Sequence, residues 1–359
     1  MAYTTINKSS EHFNTVTYTG DGNATQAITN TFQTDFSWIK HRGTTAAHTL
    51  QDAVRGFSES KKLSSNSNDA ENNASGATWG DYGGVSAVGA TSFTVYKGSQ
   101  TPYQTNESGA NYVAWNWKAN GAGSSNTDGS INTTYTSVNT TAGFSIGKYT
   151  GNGTSGATIG HGLGAIPRLI IVKRLDTTGS WQVLGNGLGQ PGATSYGKLN
   201  SKDGFTSGSN RWNNTAPTTS VFSLGNSTEV NASGGTYVAY VWCNVPGYFK
   251  GGLYQGNGNA NGTFVNTGGR PTLILLKPNI ADKDWYLIDD KRGYNGSIKS
   301  FYPNANAAET DLGDYLDLHS NGFKIKTTDN SFNGWGNSYQ YWCWMQTLVG
   351  TNNVPCTAR

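Results

Sequence analysis

The chain has 359 residues, of which only 13% are charged and 48 are glycine, with a formal net charge of +3. So little charge, with Gly, Asn, Ser and Thr filling much of the remainder, excludes a protein of long helices, which would want Ala, Leu, Glu and Lys. An aromatic content of 12% argues against disorder, because rings in that number can build cores.

The opening stretch MAYTTINKSSEHFN has no apolar core of the kind a signal peptide carries, and no later stretch reaches the ~18 apolar residues of a membrane span. Basic residues come at most in pairs (Lys61-Lys62, Lys173-Arg174, Lys291-Arg292), so no nucleic-acid footprint is expected. Cys243, Cys343 and Cys356 make an odd count without zinc-ligand spacing, which reads as free thiols in a chain folded in a reducing cytosol.

Three segments open alike: YTGDG at 18–22, YTGNG at 149–153 and YQGNG at 254–258. A phosphate-binding glycine loop needs a strand before it and a helix after it. Here the second copy leads through GATIGHGLGAIPRL into an apolar, strand-like run, so the glycines predict a hairpin-type turn. About 23 residues after each tyrosine a strand-like run ends in lysine: FSWIK (36–40), LIIVK (169–173) and LILLK (273–277). Each copy closes on an aromatic strand, YVAWNWK (112–118), YVAYVWC (237–243) or YQYWCWM (339–345). LQDAVRG (50–56) is matched by LIDDKRG (287–293), and SWQVLG (180–185) by DWYLID (284–289).

Alternate residues of a strand share a face. In the closing strands one face therefore carries Val113/Trp115/Trp117, Val238/Tyr240/Trp242 and Gln340/Trp342/Trp344. Such a stripe is expected as the core of each sandwich rather than a sugar-stacking platform, since burying each ring stabilises by ~2–3 kcal/mol. The whole reads as all-β: three tandem antiparallel β-sandwich repeats, lectin-like or jelly-roll-like, over residues 1–119, 143–246 and 247–346. Residues 120–142 read as a polar linker and 347–359 as a tail. A short helix is expected around 306–316.

Candidate chemistry is sparse. A glycosidase needs two carboxylates at defined separation; Asp282, Asp284, Asp289, Asp290, Asp311, Asp314 and Asp317 are the acids close in sequence, but all lie in the third copy, and where Asp289 has a counterpart in Asp52 the second copy has Asn186 nearby. His12, His41, His48, His161 and His319 are scattered, so neither a metal nor a cofactor is expected. No Gly-x-Ser-x-Gly elbow nominates a nucleophile. The candidates for binding are aromatics in polar turns, Trp79, Tyr82, Trp212 and Trp335, where a ring can stack on a sugar face beside hydrogen-bonding amides.

Segments spread over nearly the whole chain, among them YTTINKSSEHFNTVTYTGDG, FSWIKHR, SSNTDGSINTTYTSVNTTAGFSI, ATIGHGLGAIPRLIIVK, WNNTAPTTSVFSLG and LHSNGFKIKTTDNSF, resemble repetitive virion proteins of tailed bacteriophages, especially marine and cyanobacterial ones. The resemblance implies a structural, non-enzymatic protein made in the host cytoplasm and mounted on the virion. Its expected place is a tail fibre or receptor-contacting component that binds host-surface polysaccharide. Its partners would be other virion proteins and copies of itself, a trimer if a fibre, although no heptad repeat supplies a coiled-coil stalk. A capsid-mounted decoration protein, a tail adaptor and a glycan-degrading enzyme are the alternatives.

Overall fold

The computed structural model describes residues 4–73, 77–185 and 194–347. The fold is almost entirely antiparallel β. In the first unit the spatial strand order is Phe13–Thr19, Asn111–Trp117, Phe36–His41, Thr49–Asp52. The second unit repeats it with Phe144–Thr150, Thr236–Cys243, Pro167–Arg174 and Gln182–Gly185. The third does so with Phe249–Gln255, Ser338–Gln346, Arg270–Pro278 and Tyr286–Asp289. Register agrees as well: Phe36 lies opposite Asp52, Leu169 opposite Gly185, and Leu273 opposite Asp289. A smaller sheet of two or three strands covers one face of each large sheet.

The other face of every large sheet points at the other two units, and this changes the expected role of the aromatic stripe. Tyr237, Ala239, Val241 and Cys243 fill the second sandwich, whereas Val238, Tyr240 and Trp242 join a core shared by all three units. Tyr112 and Ala114, and likewise Tyr339, Tyr341 and Cys343, fill their own sandwiches; Trp115, Trp117, Trp342 and Trp344 enter the shared core. The stripe is thus the joint between units and not the sandwich interior. Both faces of the closing strand are apolar, so alternation alone does not say which face meets which neighbour. The same two-sided burial explains why LIIV and LILL are unbroken apolar runs.

At the centre stand Trp117, Trp242 and Trp344, one from each closing strand, packed edge to face with centroid separations of 6.1, 5.4 and 5.6 Å. Edge-to-face contact suits the ring quadrupole. The three rings relate the units by an approximate threefold axis. Only a dry gap of about 10 Å³ remains there, too small and too apolar for water.

One recurring set of polar contacts runs round this axis in a single direction, from unit one to three, three to two, and two to one. Trp115 Nε1 donates to Asp289 Oδ2 (2.9 Å), Trp342 Nε1 to the Arg168 carbonyl (2.8 Å) and the Tyr240 hydroxyl to Asp52 Oδ2 (2.7 Å). His48 Nε2 meets the Tyr302 carbonyl at 3.1 Å, while Trp285 and Trp181 Nε1 donate to the Lys198 and Ser64 carbonyls, both at 2.9 Å. Because the Trp38 indole donates to His48 Nδ1 (2.9 Å), His48 Nε2 carries the proton. The buried lysines that end the three apolar runs complete the set: Lys40, Lys277 and Lys173 donate to the carbonyls of Asn306, Lys202 and Asn68.

Two expectations are corrected. Residues 120–142 are not a free linker: Tyr135–Asn139 adds an edge strand to the second unit's large sheet, and Ile131 is buried against that unit's core. Nor is 306–316 helical, because Thr310–Gly313 pairs with Ile298–Phe301 at the edge of the third unit's sheet. Of the tail 347–359, Thr347 is buried and the rest, with Cys356, lies outside the described residues. Cys243 and Cys343 are free and buried.

Candidate binding surface

The opening glycine segments form three equivalent turns, which carry the chain from the large sheet to the small one and do not close the expected hairpin: Phe144–Thr150 pairs with Thr236–Cys243, and Thr158–Gly160 with Val221–Ser223. Tyr18, Tyr149 and Tyr254 stack on the closing-strand tyrosines Tyr112, Tyr237 and Tyr339 at 5.1, 5.1 and 4.8 Å. The hydroxyls of Tyr112, Tyr237 and Tyr339 each accept from a backbone amide five residues upstream, at Glu107, Ala232 and Gly334, and donate to a carbonyl nine residues upstream. A Cβ at Gly151 would collide with the Ala232 backbone, and Gly153 has φ +75°, so the two glycines are required by close approach and by left-handed backbone respectively. Asn152 Oδ1 accepts from Thr154 N (2.9 Å), and Asn231 Oδ1 accepts from Asn152 N (2.9 Å). The turn is an Asx turn latched by a buried asparagine. Asn106 and Asn333 latch the other two turns in the same way.

One position in these turns differs. Ser108 lies beside Gly22 and Ser233 beside Gly153, but Trp335 stands beside Gly258. Of the eleven tryptophans ten are buried, and Trp335 is 82% exposed. It projects between Gly334 and Gly336 (φ +72°) from a turn tied down by Asn333, whose Nδ2 reaches Asn257 Oδ1, the Asn259 carbonyl and the Thr327 carbonyl. Exposed Asn259 and Asn261 lie on the same turn, with Asn259 Oδ1 accepting from Asn261 N at 2.8 Å. A rigidly seated, solvent-facing indole amid amides can stack on the apolar face of a sugar ring.

The other aromatic candidates sit differently. Trp212 is 1% exposed and belongs to the core of the second sandwich, packed on Phe222. It is corrected from a surface contact to a core residue. Trp79 is also buried, 6.3 Å from the half-buried Tyr82 on one short turn of the first unit. The four candidates do not assemble into one platform: Trp79 and Tyr82 lie in unit one, Trp212 in unit two and Trp335 in unit three. Tyr294, 73% exposed, was missed because nothing in YNGS distinguishes it from a turn filler.

Six of the seven acidic candidates are committed to cations, Asp290 among them through Arg270, and Asp282 is exposed. Asp289 is fully buried against Arg292 Nε (2.6 Å), Asp284 meets Lys202, Asp311 meets Lys299, and Asp314 and Asp317 share Lys326. Burial holds the imidazoles of His12, His41, His48 and His161 below the usual histidine range. Among the described residues no cluster of three or more His, Cys, Asp or Glu side chains could hold a metal, and no helix is long and apolar enough to cross a membrane.

The model of one domain family of unknown function, DUF7483, matches residues 8–347. The chain belongs to the DUF7483 family. No curated protein and no solved structure matches it. The DUF7483 match runs from before the first opening strand to the end of the last closing strand, so it takes in the shared core, all three latched turns and Trp335.

Proposed function

We propose that this DUF7483 chain is a structural, non-enzymatic component of a tailed-bacteriophage particle, a tail fibre or its receptor-contacting portion, and that it touches host-surface polysaccharide through Trp335. The observation that carries the reading is the single exposed indole on a rigid, amide-rich turn, at a position where the two equivalent turns hold serine. The phage-like segments supply the setting. Commitment of the buried Asp52 and Asp289 to Arg55 and Arg292 supports a non-catalytic role, because neither is then free to serve as the acid or base of a hydrolase. One stacking site per chain is weak, so useful affinity requires several chains displayed together.

Immunogold labelling of intact virions with antibody against this chain tests the placement. Label at the tail periphery is the expected result. Label over the head would replace the fibre reading by a capsid-mounted protein, and absence from the particle would overturn both. Binding of purified chain to host cells, lost on Trp335→Ala, tests the contact.

A further inference from the structure

A cavity of about 420 Å³ lies where the opening strand of unit one meets unit three. That volume is within the ~300–1,000 Å³ of small-molecule sites. Phe13 and Thr15 contribute from one side, Asp290 and Gln346 from the other, with Lys8 and Lys291 also in its wall. Asp290, with 10% of its side chain exposed, bonds Arg270 Nη1 through Oδ2 (2.5 Å), while its Oδ1 has no hydrogen-bond partner. Thr15, 6% exposed, likewise has no partner for Oγ1. They are two of twelve buried side-chain atoms without a protein partner among the described residues, and these two belong to the wall of one cavity.

The common framework requires neither residue. Thr15 lies opposite Trp115 in its sheet; the residue opposite Tyr240 at the same place in unit two is the fully buried Ile146. Asp290 follows Asp289, whereas Ala53 follows the equivalent Asp52. The polar pair is peculiar to this joint, where an apolar residue would serve packing better.

We propose that this cavity binds a neutral, polyhydroxylated ligand of mono- to disaccharide size, with Asp290 Oδ1 accepting and Thr15 Oγ1 exchanging hydrogen bonds with its hydroxyls. Charge selects this class. Arg270 already neutralises Asp290 and Glu11 lies 3.8 Å from Lys8, so neither sign of ligand charge gains much, while Ser10, Asn14, Thr272 and Gln346 add uncharged polar groups to the wall. Both polar atoms are covered by the wall, so binding turns the Thr15 hydroxyl and the Asp290 carboxylate towards the ligand. The site is separate from the Trp335 turn and does not rest on the reading above.

Isothermal titration of the full chain with maltose, N-acetylglucosamine and sodium sulfate tests it. Saturable binding of a sugar is expected, weakened at least ~tenfold by Thr15→Ile, which fills the cavity with the residue unit two uses, and unchanged by Trp335→Ala. Should Thr15→Ile fail to fold, Thr15→Val removes the hydroxyl at similar volume and is expected to weaken binding in the same direction. The proposal is overturned if neither sugar saturates, if only sulfate binds, or if the folded Thr15 variants bind like the wild type. Loss of sugar binding in Trp335→Ala alone would place the binding at the turn and overturn the cavity site without touching the proposal for Trp335.

Discussion

Two of the three joints around the axis are built on a buried ion pair and the third is not. Where unit one meets unit three, Asp289 accepts from Trp115 and pairs with Arg292, which also reaches Glu309 (3.0 Å). Where unit two meets unit one, Asp52 accepts from Tyr240 and pairs with Arg55, which reaches Glu71 (3.0 Å). Where unit three meets unit two, the aspartate position is Gly185, a Cβ there would collide with Gln340, and Trp342 donates to a backbone carbonyl instead. The joint closes all the same. The shared requirement is therefore the ring of apolar side chains and bonds to backbone carbonyls; the ionic triads are additions to it. This agrees with the general finding that a buried pair adds little over apolar packing but is costly to break from one side.

The largest test of that contrast compares Asp289→Ala with Gln340→Ala. Removing Asp289 leaves the fully buried Arg292 with Glu309 as its remaining carboxylate and the Trp115 indole N–H without its acceptor, and a loss of about 3 kcal/mol is expected in denaturant unfolding. Gln340→Ala strands no charge, because Trp342 keeps its bond to Arg168, and should cost distinctly less. Equal losses would show that the third joint is as ionic in effect as the other two.

The buried lysines give a pH signature that differs between joints. Burial lowers Lys40 to about 7, helped by the charge of Arg292. Burial lowers Lys173 and Lys277 to about 8, countered by nearby acids: Glu229 and Asp69 for Lys173, Asp284 and Asp203 for Lys277. Unfolded, all three titrate near 10.4. Between about pH 7 and 10 the unfolded chain binds more protons than the folded one, so stability rises with pH across that window. The slope is at most ~1.4 kcal/mol per pH unit for each lysine. Above about pH 10 the trend reverses, because burial holds Tyr18, Tyr149 and Tyr254 protonated in the fold while unfolded tyrosines ionise. Maximum thermal stability is expected near pH 9–10, above the ~5–8 common to most proteins. Lys40→Met should flatten the lower end of the rise more than Lys277→Met, and a midpoint that falls from pH 7 to 9 would refute the assignment.

The all-β character was legible because turn residues, β-branched runs and period-two aromatics all point the same way. That the glycine segments after Tyr18, Tyr149 and Tyr254 are turns was legible for the same reason, but the expected hairpin was not: each turn crosses between two sheets, a long-range property that the local residues do not encode. What faces what was not. Trp115 and Tyr112 are both buried aromatics on one strand, and only the long-range arrangement of units sends one to the axis and the other into its own sandwich. The strand at Tyr135–Asn139 was hidden because Thr- and Asn-rich edge sequence looks like linker composition, and Trp212 because NRWNN gives no sign that its indole turns inward. Trp335 stood out only as one of four similar aromatics, and its exposure is a property of the fold.

Smaller effects refine the contrast further. Gln340→Leu removes the unpartnered Oε1 from a site 5% exposed and should be neutral or stabilising, within about 1 kcal/mol. A loss of several kcal/mol would mean that the glutamine closes the third joint as Asp289 closes the first.

The smallest stability effect belongs to the other place where the units differ. Trp335→Ser makes the third turn like the first two, touches no buried contact, and should change stability by less than ~0.5 kcal/mol. The reciprocal Ser233→Trp places an indole beside Gly153 on a turn latched by Asn231 as Asn333 latches the original. If the latched turn is what makes Trp335 a contact point, Trp335→Ser abolishes adhesion to host cells and Ser233→Trp added to it restores part. If the serine variant unfolds early, Trp335 is instead part of the framework. If adhesion persists at unchanged stability, the indole is an incidental exposure and the binding lies elsewhere on the chain.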